Sequence, residues 1–348
     1  MDEIIHLAEV GDVRGAVKKA GEIENPVKRL KTLVAVVEIS RREDVLPPML
    51  DALDEITSTP EKIVAMSLLG RALYLLDRDK EAEKAFESAI QMADSLRSPK
   101  VKAEVFAAIA QNLALSDRYS DSYKYFRLAV EQLQFSRALY SEVILALIKI
   151  ARLIEKTGDE TPTERALDFY RLARELYTSI RFTLQVEVLE EKMKLVEDVL
   201  KRKSAAIVDL INMGDIERAM KMTRFLPPRE KAFSLLEISY WLFLHEYRGL
   251  GRSVLEDALN TILVGKFKPD DSELESVGRR FLRIGLLEEA LTITGIIQDE
   301  KRASGLLGDI AISYARRGEI NRALSIAEGI QDEEIRISIL EELKSGET

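Results

Sequence analysis

The chain has 348 residues, of which 46% are hydrophobic and 32% charged, with a net charge of −9 and no cysteine. The missing cysteines exclude disulfides and thiolate metal sites, and the mildly acidic, mixed-charge composition argues against a dominant nucleic-acid or anionic-membrane footprint. No apolar run approaches the roughly 20 residues of a membrane span, and the acidic start MDEIIHLAEVGD lacks a signal-peptide core, so a soluble cytoplasmic protein without a membrane association is expected.

In chain order the apolar periodicity predicts helix pairs over 2–10 and 12–22, 26–41 and 46–57, 60–77 and 79–95, 99–117 and 120–135, and 137–157 and 163–180. The last pair is expected to turn through Gly158-Asp159-Glu160-Thr161-Pro162. A long charged helix follows over 183–200. Pairs then resume over 203–213 and 215–225, 228–246 and 249–264, 271–284 and 286–297, and 299–317 and 319–329, with a polar loop through Lys266 to Asp270 and a capping helix over 332–344. All nine prolines fall where the periodic pattern breaks, as an all-helical chain requires when an interior proline costs about 3 kcal/mol.

The end of the chain repeats itself. GLLEEALTITGIIQDEKR from Gly285 returns thirty-three positions later as GEINRALSIAEGIQDEEI from Gly318. A fixed period of that size marks helical hairpins stacked into a solenoid. A weaker echo links Gly11-Asp12 with Gly214-Asp215 and Val37-Glu38-Ile39-Ser40 with Leu236-Glu237-Ile238-Ser239. It places a boundary near Lys201-Arg202-Lys203, giving helical repeats over 1–200 and 201–348, with one continuous solenoid as the other arrangement.

Leu69-Gly70, followed by Ala82, Phe86 and Ala89, resembles the tetratricopeptide repeat (TPR) signature, with Met66 where Trp is usual and Leu73 where Tyr is usual. The next pair keeps Phe126 and Ala129, and the one after it Ala166, Tyr170 and Ala173. The chain is therefore identified as an all-α, TPR-like protein. The resemblance implies a right-handed superhelix of about nine antiparallel hairpins plus a cap. It also implies a concave groove lined by each first helix, where a partner peptide or protein docks. By that alignment the groove presents Arg71 and Tyr74, Glu104 and Gln111, and Arg152 and Glu155. Arg71 and Arg152 are the expected carboxylate contacts.

No chemistry-bearing motif stands out. Gly249-Leu250-Gly251-Arg252-Ser253 lacks the strand and lysine of a phosphate loop and reads as an interhelical turn. His6 and His245 have no ligand neighbourhood. The acidic groups Glu187, Glu190, Glu191 and Asp332, Glu333, Glu334 read as solvated helix faces. No enzyme activity, cofactor or metal is expected. The apolar run around Tyr240, Trp241 and Phe243 reads as core, with a self-association anchor as the functional alternative. A homodimeric regulatory subunit, or a ligand- or nucleic-acid-sensing repeat protein, stays open beside the interaction scaffold. Few Asn and Gln with abundant charge resemble a thermophile's composition.

Overall fold

The computed structural model describes residues 2–161, 163–265 and 267–346, so Pro162 and Lys266 of the expected loops lie outside the described residues. Among those described there are only helices and connections. Contacts divide the chain into two compact units, residues 1–194 and 195–348.

The first unit holds α1 (Asp2–Glu9), α2 (Val13–Gly21), α3 (Pro26–Ser40), α4 (Leu46–Asp54), α5 (Thr59–Leu75), α6 (Asp79–Asp94), α7 (Pro99–Ala114), α8 (Tyr119–Gln134), α9 (Tyr140–Glu160) and α10 (Ala166–Ser179). The division between units falls within α11 (Thr183–Arg202). The second unit continues with α12 (Ser204–Asn212), α13 (Ile216–Met222), α14 (Pro228–Leu244), α15 (Arg248–Val264), α16 (Asp271–Arg283), α17 (Leu287–Thr294), α18 (Glu300–Arg316), α19 (Ile320–Glu328) and α20 (Glu333–Ser345). Helices pack as consecutive pairs, and the first helix of each pair also packs on the first helix of the next, as α3, α5, α7 and α9 do.

Sequence punctuation sets the ends. Asp12, Asp270, Asp299 and Asp332 each accept a hydrogen bond from a backbone N–H in the first turn that follows, and Asn25 does the same ahead of Pro26. Such caps satisfy amides that the helix itself cannot. Gly11, Gly214, Gly285 and Gly318 take positive φ at the turns inside pairs, where a side chain would be strained.

Small residues set the spacing within pairs. A Cβ on Gly70 of α5 would lie 3.1 Å from the Phe86 ring of α6. Phe86 is buried there beside Ala82 and Ala89. Removing such a ring from water is worth about 1.5–3 kcal/mol. This is the close approach that the TPR-like signature encodes.

The expected turn at Gly158 is corrected. Helix α9 runs on through Gly158, Asp159 and Glu160 and stops only at Thr161. Gly158 is wholly packed against Tyr170, whose hydroxyl donates to Asp159 at 2.7 Å. The tertiary contact holds as helix a stretch whose local composition favours a turn.

Candidate functional site

Four first helices of the first unit form one open groove of about 520 Å³. Val27 of α3, Val64 of α5, Val101 of α7 and Leu153 of α9 supply its apolar surface, to which the buried Val105 and Ile150 add little. Lys31, Lys149, Arg152 and Lys156 stand around it, against the carboxylates Glu61 and Glu104. Lys149 reaches Glu104 at 3.2 Å and Lys156 reaches Glu160 at 3.4 Å. Arg152 is exposed and has no ion-pair partner among the described residues. The groove is therefore cationic on a chain of net charge −9.

The periodicity of α9 produces this arrangement. Lys149, Arg152 and Lys156 recur at spacings of three and four, which sets all three on one helix face. Ala146, Ile150 and Ile154 face the packed side and are buried.

Of the six groove residues expected from the sequence, Glu104 and Arg152 line this groove. The other four bind neighbouring helices or, for Tyr74, the connection between α7 and α8. Arg71 donates to Glu38 of α3 at 2.7 Å, and its side chain is only 15% exposed. Tyr74 donates its hydroxyl to Asp117 at 2.6 Å, which, with some burial, pushes its pKa up to about 12. Gln111 donates to Glu160 at 3.0 Å. Glu155 accepts from Tyr177 and Gln185, each at 3.1 Å, and pairs with Lys192 at 3.4 Å. Burial, then the Glu155 charge, raises the Tyr177 pKa. Arg71 is thus corrected from a free carboxylate contact to a strut between α3 and α5. The groove cations Lys31, Lys149 and Lys156 were not singled out in the sequence. The stripe on α9 was a usable signal, but only the packing shows which stripe lies open.

In the second unit, charge pairs link the successive first helices α14, α16 and α18. Arg280 of α16 binds Glu237 of α14 through both guanidinium ends and lies over the Tyr240 ring, 4.2 Å from its centre. Arg279 binds Glu275 at 3.0 Å and also Asp309 of α18. Arg302 of α18 reaches Glu275 at 2.6 Å. Burial pushes the Glu275 pKa up, but these two guanidinium groups overcome it and hold the carboxyl below its usual range.

The apolar run on α14 is mostly core. Phe243 is 7% exposed and packs edge-on to Phe281, with ring centres 5.8 Å apart, so it cannot be the surface anchor the alternative requires. Tyr240 is half-buried between Arg280 and Phe281. Trp241 is half-buried and stacks on His245 of the same segment, 3.7 Å between ring centres. The Gly249 to Ser253 stretch is corrected from an interhelical turn to the first turns of α15, where Gly251 sits against the Phe243 ring and its carbonyl accepts from Ser239 at 2.8 Å. Lys201-Arg202-Lys203 ends α11, with Arg202 paired to Asp198 and Asp209 and Lys203 to Glu230. Among the described residues no His, Asp or Glu group is arranged to hold a metal ion, and no helix is long and apolar enough to cross a membrane.

No family model and no curated protein matches the chain. Among solved structures it is similar to Ton1535 from Thermococcus onnurineus NA1, at 22% identity over 98% of each chain and a TM-score of 0.55. It is also matched to a circular tandem repeat protein with novel repeat topology, at 15% identity over 99% of this chain and 87% of that one, with a TM-score of 0.21. The TPR domain of P58(IPK) gives 16% identity over 95% of this chain and 98% of that one, with a TM-score of 0.22. The likeness to the Thermococcus protein extends to the fold, an all-α helical repeat.

Proposed function

We propose that this protein is a non-enzymatic interaction scaffold that holds a short segment of a partner protein in the groove across α3, α5, α7 and α9. The observation that carries this reading is the pairing of an aliphatic surface with an excess of cations in one open channel. Such a channel favours a segment that carries both aliphatic side chains and carboxylates. Apolar burial supplies affinity, and the Arg152 guanidinium offers a planar two-donor contact to a carboxylate.

Selection of random displayed peptides on the full chain, wild type beside an Arg152→Glu/Lys156→Glu variant, tests this reading. Wild type is expected to enrich peptides combining Asp or Glu with Leu, Ile or Val. Their affinity should fall at least about tenfold in the variant and at high salt. Enriched peptides without carboxylates, or binding untouched by the variant, would sink the proposal.

A further inference from the structure

The groove across α3, α5, α7 and α9 holds two kinds of charge. Some of it is neutralised within the protein. Glu104 of α7 and Lys149 of α9 pair at 3.2 Å, and Lys156 pairs with Glu160 of its own helix at 3.4 Å. Three other charged residues line the same groove, are exposed, and have no ion-pair partner among the described residues. They are Lys31 of α3, Glu61 of α5 and Arg152 of α9.

Packing sets the order of these three. Each first helix packs on the first helix of the next pair, so α5 and α7 lie between α3 and α9. Across the groove the unpaired charges therefore run positive, negative, positive. Helix α7 adds no unpaired charge, because Lys149 takes up that of Glu104, and its Val101 and Ala108 extend the aliphatic lining. Lys31 and Glu61 have opposite sign and stand on neighbouring helices, yet they do not pair with each other. Both charges are left for a bound molecule.

On the reading that this groove is the recognition surface, we propose that Glu61 determines its specificity by selecting a lysine or arginine placed between two acidic residues of the bound segment. The acidic residues meet Lys31 on one side and Arg152 on the other, and the cation between them meets Glu61. Two free cations and one free carboxylate thus find their complement in order as well as in number. A segment that is acidic throughout sets a carboxylate against Glu61, and this like-charge contact disfavours it although the groove as a whole is cationic. Glu61 is in this way the element that narrows a general preference for carboxylates to one charge pattern.

Selection of random displayed peptides on the full chain tests this, with wild type beside Glu61→Lys, Glu61→Gln and Arg152→Glu. Wild type is expected to enrich peptides with Lys or Arg between two acidic residues. Glu61→Lys is expected to enrich peptides with Asp or Glu at that central position. In one synthetic peptide selected on wild type, changing the central cation to Glu should weaken binding to wild type at least about fivefold and restore it on Glu61→Lys. Glu61→Gln, a milder change at the same exposed position, should bind the original peptide with intermediate affinity. Peptides that lose binding with Arg152→Glu, but lack a central cation or keep their affinity for Glu61→Lys, overturn the role of Glu61 and leave the groove as the recognition surface. Peptides indifferent to Arg152→Glu, or no enrichment on wild type, overturn both.

Discussion

At the scale of single residues, small side chains at helix crossings decide how closely the layers approach. Gly158 is the most constrained case. An added Cβ would fall 2.6 Å from the Tyr170 ring and 3.2 Å from the Ala166 carbonyl oxygen. The ring cannot easily yield, because Tyr170 is tied to Asp159 and lies beneath Lys192. Gly158→Ala is therefore expected to destabilise the protein by about 1–3 kcal/mol. Gly249→Ala, where a Cβ meets nothing within 4 Å, should be neutral or stabilising by about 0.5–1 kcal/mol. Urea denaturation of the two variants beside wild type measures the contrast, and equal effects would mean that the crossing tolerates a methyl group. In sequence these glycines look alike. Gly158 beside Asp159 even reads as a turn, because the helix-breaking tendency is local while the contact that overrides it is not.

At the scale of elements, successive first helices are joined by ion pairs, and those on α16 and α18 form a connected set. Glu275 holds Arg279 of its own helix and Arg302 of the next. Its side chain is 17% exposed, so solvent screens the set less than an ordinary surface pair. Glu275→Gln is expected to cost about 1.5–3 kcal/mol near neutral pH, as for a hydrogen bond to a charged group. The folded-state pKa of Glu275 is lowered. Its contribution is therefore present above the unfolded value of about 4.3 and is lost as pH falls through the folded value. The gap between wild type and variant in urea midpoints should narrow once pH falls below about 4.3 and close as it passes through the lowered folded value. A gap unchanged at low pH would mean that the charge is not what matters. Helix existence and approximate ends were legible in the sequence, because periodicity, prolines and Asp or Asn caps are local signals. The pairing of Arg71 with Glu38, or of Arg280 with Glu237, was not, since those partners lie thirty-three and forty-three residues apart.

At the scale of the whole molecule, contacts divide the chain into two compact units. Each is a run of pairs that touch mainly their neighbours, so cooperativity is carried locally from pair to pair. The calorimetric enthalpy of unfolding is expected to exceed the van't Hoff enthalpy, the mark of more than one cooperative block. A ratio of one in scanning calorimetry would show a single transition instead. The groove belongs to the first unit, and Arg–carboxylate pairs join helices in both units. The sequence by itself determined the all-helical repeat, because the thirty-three-residue echo and the Gly-Ala-Phe spacing are properties of adjacent residues and of one period. Only the tertiary structure decided which charged and aromatic side chains are left for recognition. Arg152 and Arg71 look equivalent along the chain, and they differ in that Glu38 of a neighbouring helix takes up the charge of Arg71.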